Sequence, residues 1–130
     1  MRLYDVLEPM ANMLNIDHIV ERTTKDGWTI EKWHSGKMVQ TLYRAIDTSG
    51  GWTDIPYMAG LATSFKAYSF PQSFVGVPVV LASITGGNGV GVGVTTHPTN
   101  NNVRVHVSGS QSCKETEARD IAIMAIGKWK

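Results

Sequence analysis

Four histidines, one cysteine and eleven acidic residues are the side chains of this 130-residue chain best suited to holding a metal or moving a proton. No two of His18, His34, His97 and His106 stand at i, i+4, and none has a carboxylate or cysteine at ligand spacing. The spacing therefore writes no local metal site. It leaves open a metal on a three-fold axis, held by one histidine from each of three copies. Cys113 lies in the polar run Ser110 to Lys114 with no histidine context, and no G-x-S-x-G elbow occurs, so no nucleophile with an oriented base is visible. Asp26, Asp47, Asp54, Glu115, Glu117 and Asp120 fall in turn-like or polar segments, and Glu31 in an extended one. Solvated charge accounts for them better than the paired carboxylates of a glycosidase. The Gly86 to Gly93 stretch fits G-x-G-x-x-G in no register, and Gly127-Lys128 lacks the upstream glycine of a phosphate loop. The chain is expected to be no enzyme and to need no cofactor.

Aromatic and amide side chains remain. Trp28, Trp33, Trp52 and Trp129 are joined by Tyr43, Tyr57 and Tyr68. On a strand, Trp28 and Ile30 face away from Thr29, Glu31 and Trp33, so one aromatic enters a core and the other needs a subunit, a loop or a ligand. Trp52, in a Gly-rich loop, is the best candidate for stacking on a ligand. The loop His97 to Asn102 offers uncharged donors and acceptors in Asn100, Asn101 and Asn102, which suit a hydroxyl-rich ligand. The candidate ligand-binding set is Trp52, His97, Asn100, Asn101 and Asn102.

Composition limits what can position these groups. The chain is 42% hydrophobic and 18% charged, enough apolar content for one core and too much for a disordered tail. Its net charge of +1 gives no basic excess for nucleic acid or a polybasic membrane anchor. A single cysteine allows no internal disulfide. No apolar run approaches the roughly 20 residues of a membrane span, and the opening residues, with Asp5, Glu8 and Pro9, do not read as a signal peptide.

Two patterns divide the chain. Leu3, Val6, Leu7, Met10, Met13 and Leu14 recur at spacings of three and four, a short amphipathic helix with Pro9 at its start or end. Leu3, Val6, Met10 and Met13 stand near the spacing at which helices of several copies meet. From Ile19 the period becomes two. Trp28 to Trp33 and Met38 to Ile46 flank His34-Ser35-Gly36-Lys37 as a hairpin. Trp52 to Ser64 is expected to be irregular. Phe65 to Phe74 is an edge or broken strand because Pro71 cannot donate to a ladder. The continuous run Val79 to Ile84 is expected to be buried, and Gly109 to Asp120 to be a polar loop. Val103, Val105 and Val107 alternate with Arg104, His106 and Ser108. Ile121 to Trp129 is apolar on both faces up to Ile126, which fits a central strand or a subunit contact. About six or seven short strands separated by Gly, Pro and Asn turns predict an all-β antiparallel sandwich with a short N-terminal helix. The boundaries expected are a helical stem over 1–18 and a sandwich over 19–130.

Three segments resemble a known family. Trp28 to Gly36 fits W-x-x-x-K-W-x-x-G, Phe70 to Val80 fits F-P-x-x-F-x-x-x-P-x-V, and Ala125-Ile126-Gly127-Lys128-Trp129-Lys130 fits A-I-G-R/K-W-K. In this order they resemble the C-terminal receptor-binding domains of phage and prophage tail-fibre and baseplate proteins, across roughly residues 19 to 130. The second hairpin strand departs from that family, with Met38 to Tyr43 where "E-C-W-G" is common. The resemblance implies an H-type lectin-like sandwich at a fibre tip on the virion, homotrimeric, joined to an upstream fibre or baseplate region and gripping a host-surface glycan. Leu3, Val6, Met10, Met13, Trp33 and Ile126 are then the expected trimer contacts. The alternative is a structural fibre or decoration domain that caps a trimer and binds no receptor; a glycan-depolymerase fragment is a third, weaker possibility.

Overall fold

The computed structural model describes residues 2–13, 16–45, 53–58, 61–86, 93–109 and 118–130. Helix α1 spans Leu3–Met13. Its first turn is capped as Asp5 Oδ2 accepts from Arg2 N at 3.0 Å, and the carboxylate also suits the positive helix end. The helix runs through Pro9, which leaves the Asp5 carbonyl without its usual donor four residues on. At 11 residues it is too short to be stable alone in water.

Nine strands follow among the described residues: β1 Ile19–Lys25, β2 Trp28–Trp33, β3 Lys37–Ala45, β4 Thr53–Met58, β5 Leu61–Ser69, β6 Val79–Gly86, β7 Gly93–Pro98, β8 Asn102–Gly109 and β9 Ala118–Lys128. They form two antiparallel sheets, one of five strands in the order β1-β2-β3-β9-β6 and one of four in the order β4-β5-β8-β7. The architecture is the expected all-β sandwich with one short helix. The strand count exceeds the expected six or seven. Ile19 to Lys25 pairs as a strand of its own, and the stretch expected to be irregular makes a strand pair, β4 with β5. Tertiary pairing overrides weak local pattern there.

Three further expectations change. The strand read as Phe65 to Phe74 ends at Ser69, so Pro71 lies beyond its ladder, and β5 is interior between β4 and β8. The supposed polar loop Gly109 to Asp120 includes the start of β9, from Ala118. The Val79 to Ile84 run is buried on one face only: β6 is an edge strand with Val80 inside and Val79 and Leu81 exposed. By contrast β9 is interior, between β3 and β6, as its two apolar faces require.

The core lies between the sheets. The large sheet supplies Trp28, Ile30, Met38, Leu42, Ile121, Ile123 and Ala125; the small sheet supplies Tyr68, Val103, Val105 and Val107. The segment 70–78 crosses from one sheet to the other and closes one end. Phe70 meets Trp28 edge-on at 5.5 Å between centroids and Phe74 at 5.1 Å. Fully buried Gln40 reaches across from β3, its Nε2 donating to the Gln72 carbonyl at 2.7 Å. Gly127 gives the Phe74 ring its room, since a Cβ there would stand 2.7 Å from Phe74 Cδ1. Main-chain bonds complete this end: Phe70 N to Asn101 O, Phe74 N to Asn100 O, Val75 N to Lys128 O and Trp129 N to Gly36 O. The three segments that carried the family resemblance therefore meet here.

The residues before β1 are tied to the same end. Asp17 accepts from Ser35 N at 2.9 Å and Ser35 Oγ at 2.7 Å, and these bonds hold its carboxyl below the ordinary carboxylate range. His34 N donates to His18 O at 2.9 Å, and the two imidazoles stack at 5.2 Å.

Gly127→Ala should cost about 1–3 kcal/mol by overpacking, and Phe74→Ala about 3–5 kcal/mol by leaving a cavity. Chemical denaturation followed by tryptophan fluorescence measures both. A Gly127→Ala protein of unchanged stability would show that this ring does not constrain the closure.

Candidate functional site

A sandwich has two outer faces, and here they differ in chemistry. On the five-stranded sheet, register sets Thr29, Thr41, Met124 and Leu81 in one row and Glu31, Val39, Ile126 and Val79 in the next. Toward β6 these rows are apolar and open to solvent, with Val79 68%, Leu81 63%, Met124 43% and Ile126 38% exposed. Val75 and Val77 extend the exposed apolar surface beside β6. A groove of about 530 Å³ opens on the same face, between Thr29, Thr41, Tyr43, Leu81, Ser83 and Met124. At its border Tyr43 Oη donates to Asp120 Oδ2 at 3.2 Å, and the nearby carboxylate pushes the phenol above its ordinary range.

The outer face of the four-stranded sheet is cationic and aromatic. His106 on β8 lies between Phe65 on β5 and Thr95 on β7; Arg104 lies between Ala67 and His97. The Phe65 and His106 rings stack with centroids 5.3 Å apart, and His97 meets His106 edge-on at 4.5 Å. The Arg104 guanidinium sits 5.3 Å from the Phe65 centroid and has no carboxylate partner among the described residues. Burial, then His97, then Arg104 hold His106 below the ordinary imidazole range. Its Nδ1 is buried without a hydrogen-bond partner among the described residues.

Of the expected ligand set, His97 and the three asparagines occupy the end of β7, the turn after it and the start of β8. His97 joins this platform, at the β7 end of the sheet. Asn101 lies in the β7–β8 turn and Asn102 opens β8; the Thr99 hydroxyl meets their side-chain oxygens at 3.0 and 3.1 Å and accepts from both backbone amides. The Asn100 and Asn101 carbonyls hold the crossing segment 70–78. Of the three amides, only the exposed Asn100 side chain has no bond within the turn. Trp52 lies outside the described residues. Phe65, Arg104 and His106 stand outside the expected set. The alternation Val103 to Ser108 places Arg104 and His106 on an outward face, but no local signal sets Phe65 opposite His106.

Of the expected subunit contacts, Leu3 and Met10 are exposed on α1 and Ile126 on the apolar wall. Nothing is described of the Val6 and Met13 side chains. Trp33 is half-buried on the outer face of β2 under the Lys37 ammonium, which lies 3.9 Å from its ring centroid, and its carbonyl accepts from Trp129 Nε1 at 2.9 Å. Among the described residues no three His, Cys, Asp or Glu side chains gather to hold a metal ion, and no helix is long and apolar enough to cross a membrane.

No protein-family model matches the chain, and no curated protein matches it. Its fold does match solved structures. An N-truncated R1-type pyocin tail fibre superposes with a TM-score of 0.54 at 15% identity, covering 92% of this chain and 94% of that one. A P. aeruginosa R1 pyocin fibre comprising C-terminal residues 323–701 gives a TM-score of 0.54 at 18% identity. That match covers 90% of this chain and 30% of the fibre chain. At such identity the likeness is one of fold.

His106 should titrate below 6.5, and its pKa should rise in His97→Gln and, less, in Arg104→Gln. Because the folded value is depressed, the contribution of His106 to stability is full above about pH 6.5 and declines as the pH falls through the folded-state value. NMR titration of the imidazole protons measures this, and a wild-type value at or above 6.5 contradicts the electrostatics described.

Proposed function

We propose that this chain is a non-enzymatic tip domain of a phage-type tail fibre, assembled as a homotrimer on the virion and attaching it to a host-surface receptor, most simply a glycan. The observation that carries the reading is the apolar wall of Val79, Leu81, Met124 and Ile126 on a domain whose fold matches pyocin tail-fibre structures over nine-tenths of its length. The wall joins large side chains from two neighbouring strands, with Val79 paired to Ile126 and Leu81 to Met124. An exposed patch built this way marks an interaction surface. A second and third copy of the chain satisfy it at a fibre tip.

The placement of α1 supports the same reading. The hydrogen bonds of Asp17 and His18 bring the chain from α1 into the sandwich at the end that also holds the C-terminus, where Trp129 N donates to Gly36 O. A stem entering there leaves the opposite end and both flanks of the domain clear of the shaft. Leu3 and Met10, exposed on a helix too short to stand alone, meet their counterparts in sister copies. Trimeric adhesion needs only weak single contacts, because three sites on one particle multiply avidity by orders of magnitude.

Light scattering of the purified chain should give three times the 14.2 kDa chain mass. Leu81→Asp combined with Ile126→Asp should yield a folded monomer, because a charge at each site cannot be buried unpaired. A wild-type monomer, or a double variant that stays trimeric, contradicts the role given to the wall. Labelled trimer should decorate host bacteria. A folded trimer that binds none of a broad strain panel would favour the decoration-domain reading over adhesion.

A further inference from the structure

We propose that the outer face of the four-stranded sheet is a binding site for an anionic saccharide, whose carboxylate or phosphate pairs with Arg104 and His97 while its C–H face lies on the Phe65 and His106 rings. This names the ligand class and the site for the adhesion reading above and rests on it.

Charge selects the anion. Arg104 is exposed, has no carboxylate partner among the described residues, and stands on one face with two imidazoles. The other residues paired with them on this face, Ala67 and Thr95, are neutral, so nothing described there offsets the positive group. Burial is the larger cause of the lowered His106 titration, and His97 and Arg104 add to it through this same field. A guanidinium supplies paired donors that match a carboxylate or phosphate. Two imidazoles beside a fixed positive charge make a poor cation site, which argues against a metal. A single arginine on this face of each copy, in a chain of net charge +1, is too little for a nucleic-acid backbone.

The rings select a sugar over a bare ion. Phe65, His97 and His106 make a contiguous aromatic cluster, His106 stacked with Phe65 at 5.3 Å and His97 edge-on to it at 4.5 Å. Such surfaces take the apolar face of a pyranose while a polar group fixes its orientation. The chain's position also fits: the apolar wall for sister copies is on the opposite side of the sandwich, so assembly leaves this platform outward on each of three subunits.

The test uses the full chain as a trimer and three probes: tri-galacturonic acid, glucose 6-phosphate and neutral maltotriose. One anion or both should move the imidazole resonances of His97 and His106, with maltotriose inert; the anion that responds identifies carboxylate or phosphate as the charge. Arg104→Gln, a change at an exposed side chain, should weaken binding at least about tenfold, and His97→Ala should weaken it less. No response to either anion, an equal response to maltotriose, or unaltered affinity in Arg104→Gln overturns the proposal. Attachment to bacteria separates it from the adhesion reading. If Arg104→Gln trimers attach as well as wild type, the platform is not the site and adhesion stands. If wild-type trimers bind the anionic probe through Arg104 but attach to no cell, the site stands and the adhesion reading fails.

Discussion

Two phenylalanine rings wedged between the sheets hold one end of this domain together. Phe70 and Phe74 ride on a segment that leaves β5 and must reach β6 in the other sheet, so the crossing itself becomes core. A buried loop needs partners for its backbone. Those partners come from every neighbouring part of the fold: the Asn100 and Asn101 carbonyls, the Lys128 carbonyl and the Gln40 side chain. Gly127 is small because Phe74 is where it is. The hairpin turn at Gly36, the C-terminal strand and the residues before β1 are fastened in the same place. The remaining architecture, including which faces point outward, follows from the sheets being pinned at this corner.

Once pinned, strand alternation divides the labour. Each strand puts every second side chain into the core and offers the others to whatever lies outside. On β6 and β9 the outward set includes the large apolar side chains Val79, Leu81, Met124 and Ile126, all open to solvent. On β5, β7 and β8 the outward set carries a ring, two imidazoles and a guanidinium. The same β-sandwich logic thus yields one apolar outer face and one aromatic and cationic outer face, with the core between them.

Much of the fold was legible in the chain. Period-two alternation announced the hairpin of Trp28 to Trp33 with Met38 to Ile46, observed as Lys37–Ala45, and the valines of β8, and it separated Trp28 from Trp33 correctly. The apolar faces of β9 fitted a central strand or a subunit contact, and β9 is interior to its sheet. What failed was local reading where pairing decides: Pro71 sat just past a strand end, and Thr53–Met58 became a strand because β5 offered it a ladder. The candidate site was less legible. The asparagines looked free for a ligand, yet Asn101 and Asn102 are engaged with Thr99 in their own turn. The segments that resembled tail-fibre proteins proved to be the parts that close the fold, so they point to an architecture and leave the ligand unspecified.

The sequence by itself determined that this is a β domain, which residues share a face within each strand, and that β6 and β9 carry more apolar surface than one face needs. These are local properties, set by side-chain type and a period of two. Only the tertiary structure decided that β6 is an edge strand exposing Val79 and Leu81, and that Phe65 stands across from His106. Those facts depend on hydrogen-bonded ladders between segments some forty residues apart, β6 with β9 and β5 with β8, and no local pattern encodes which strand a ladder will choose.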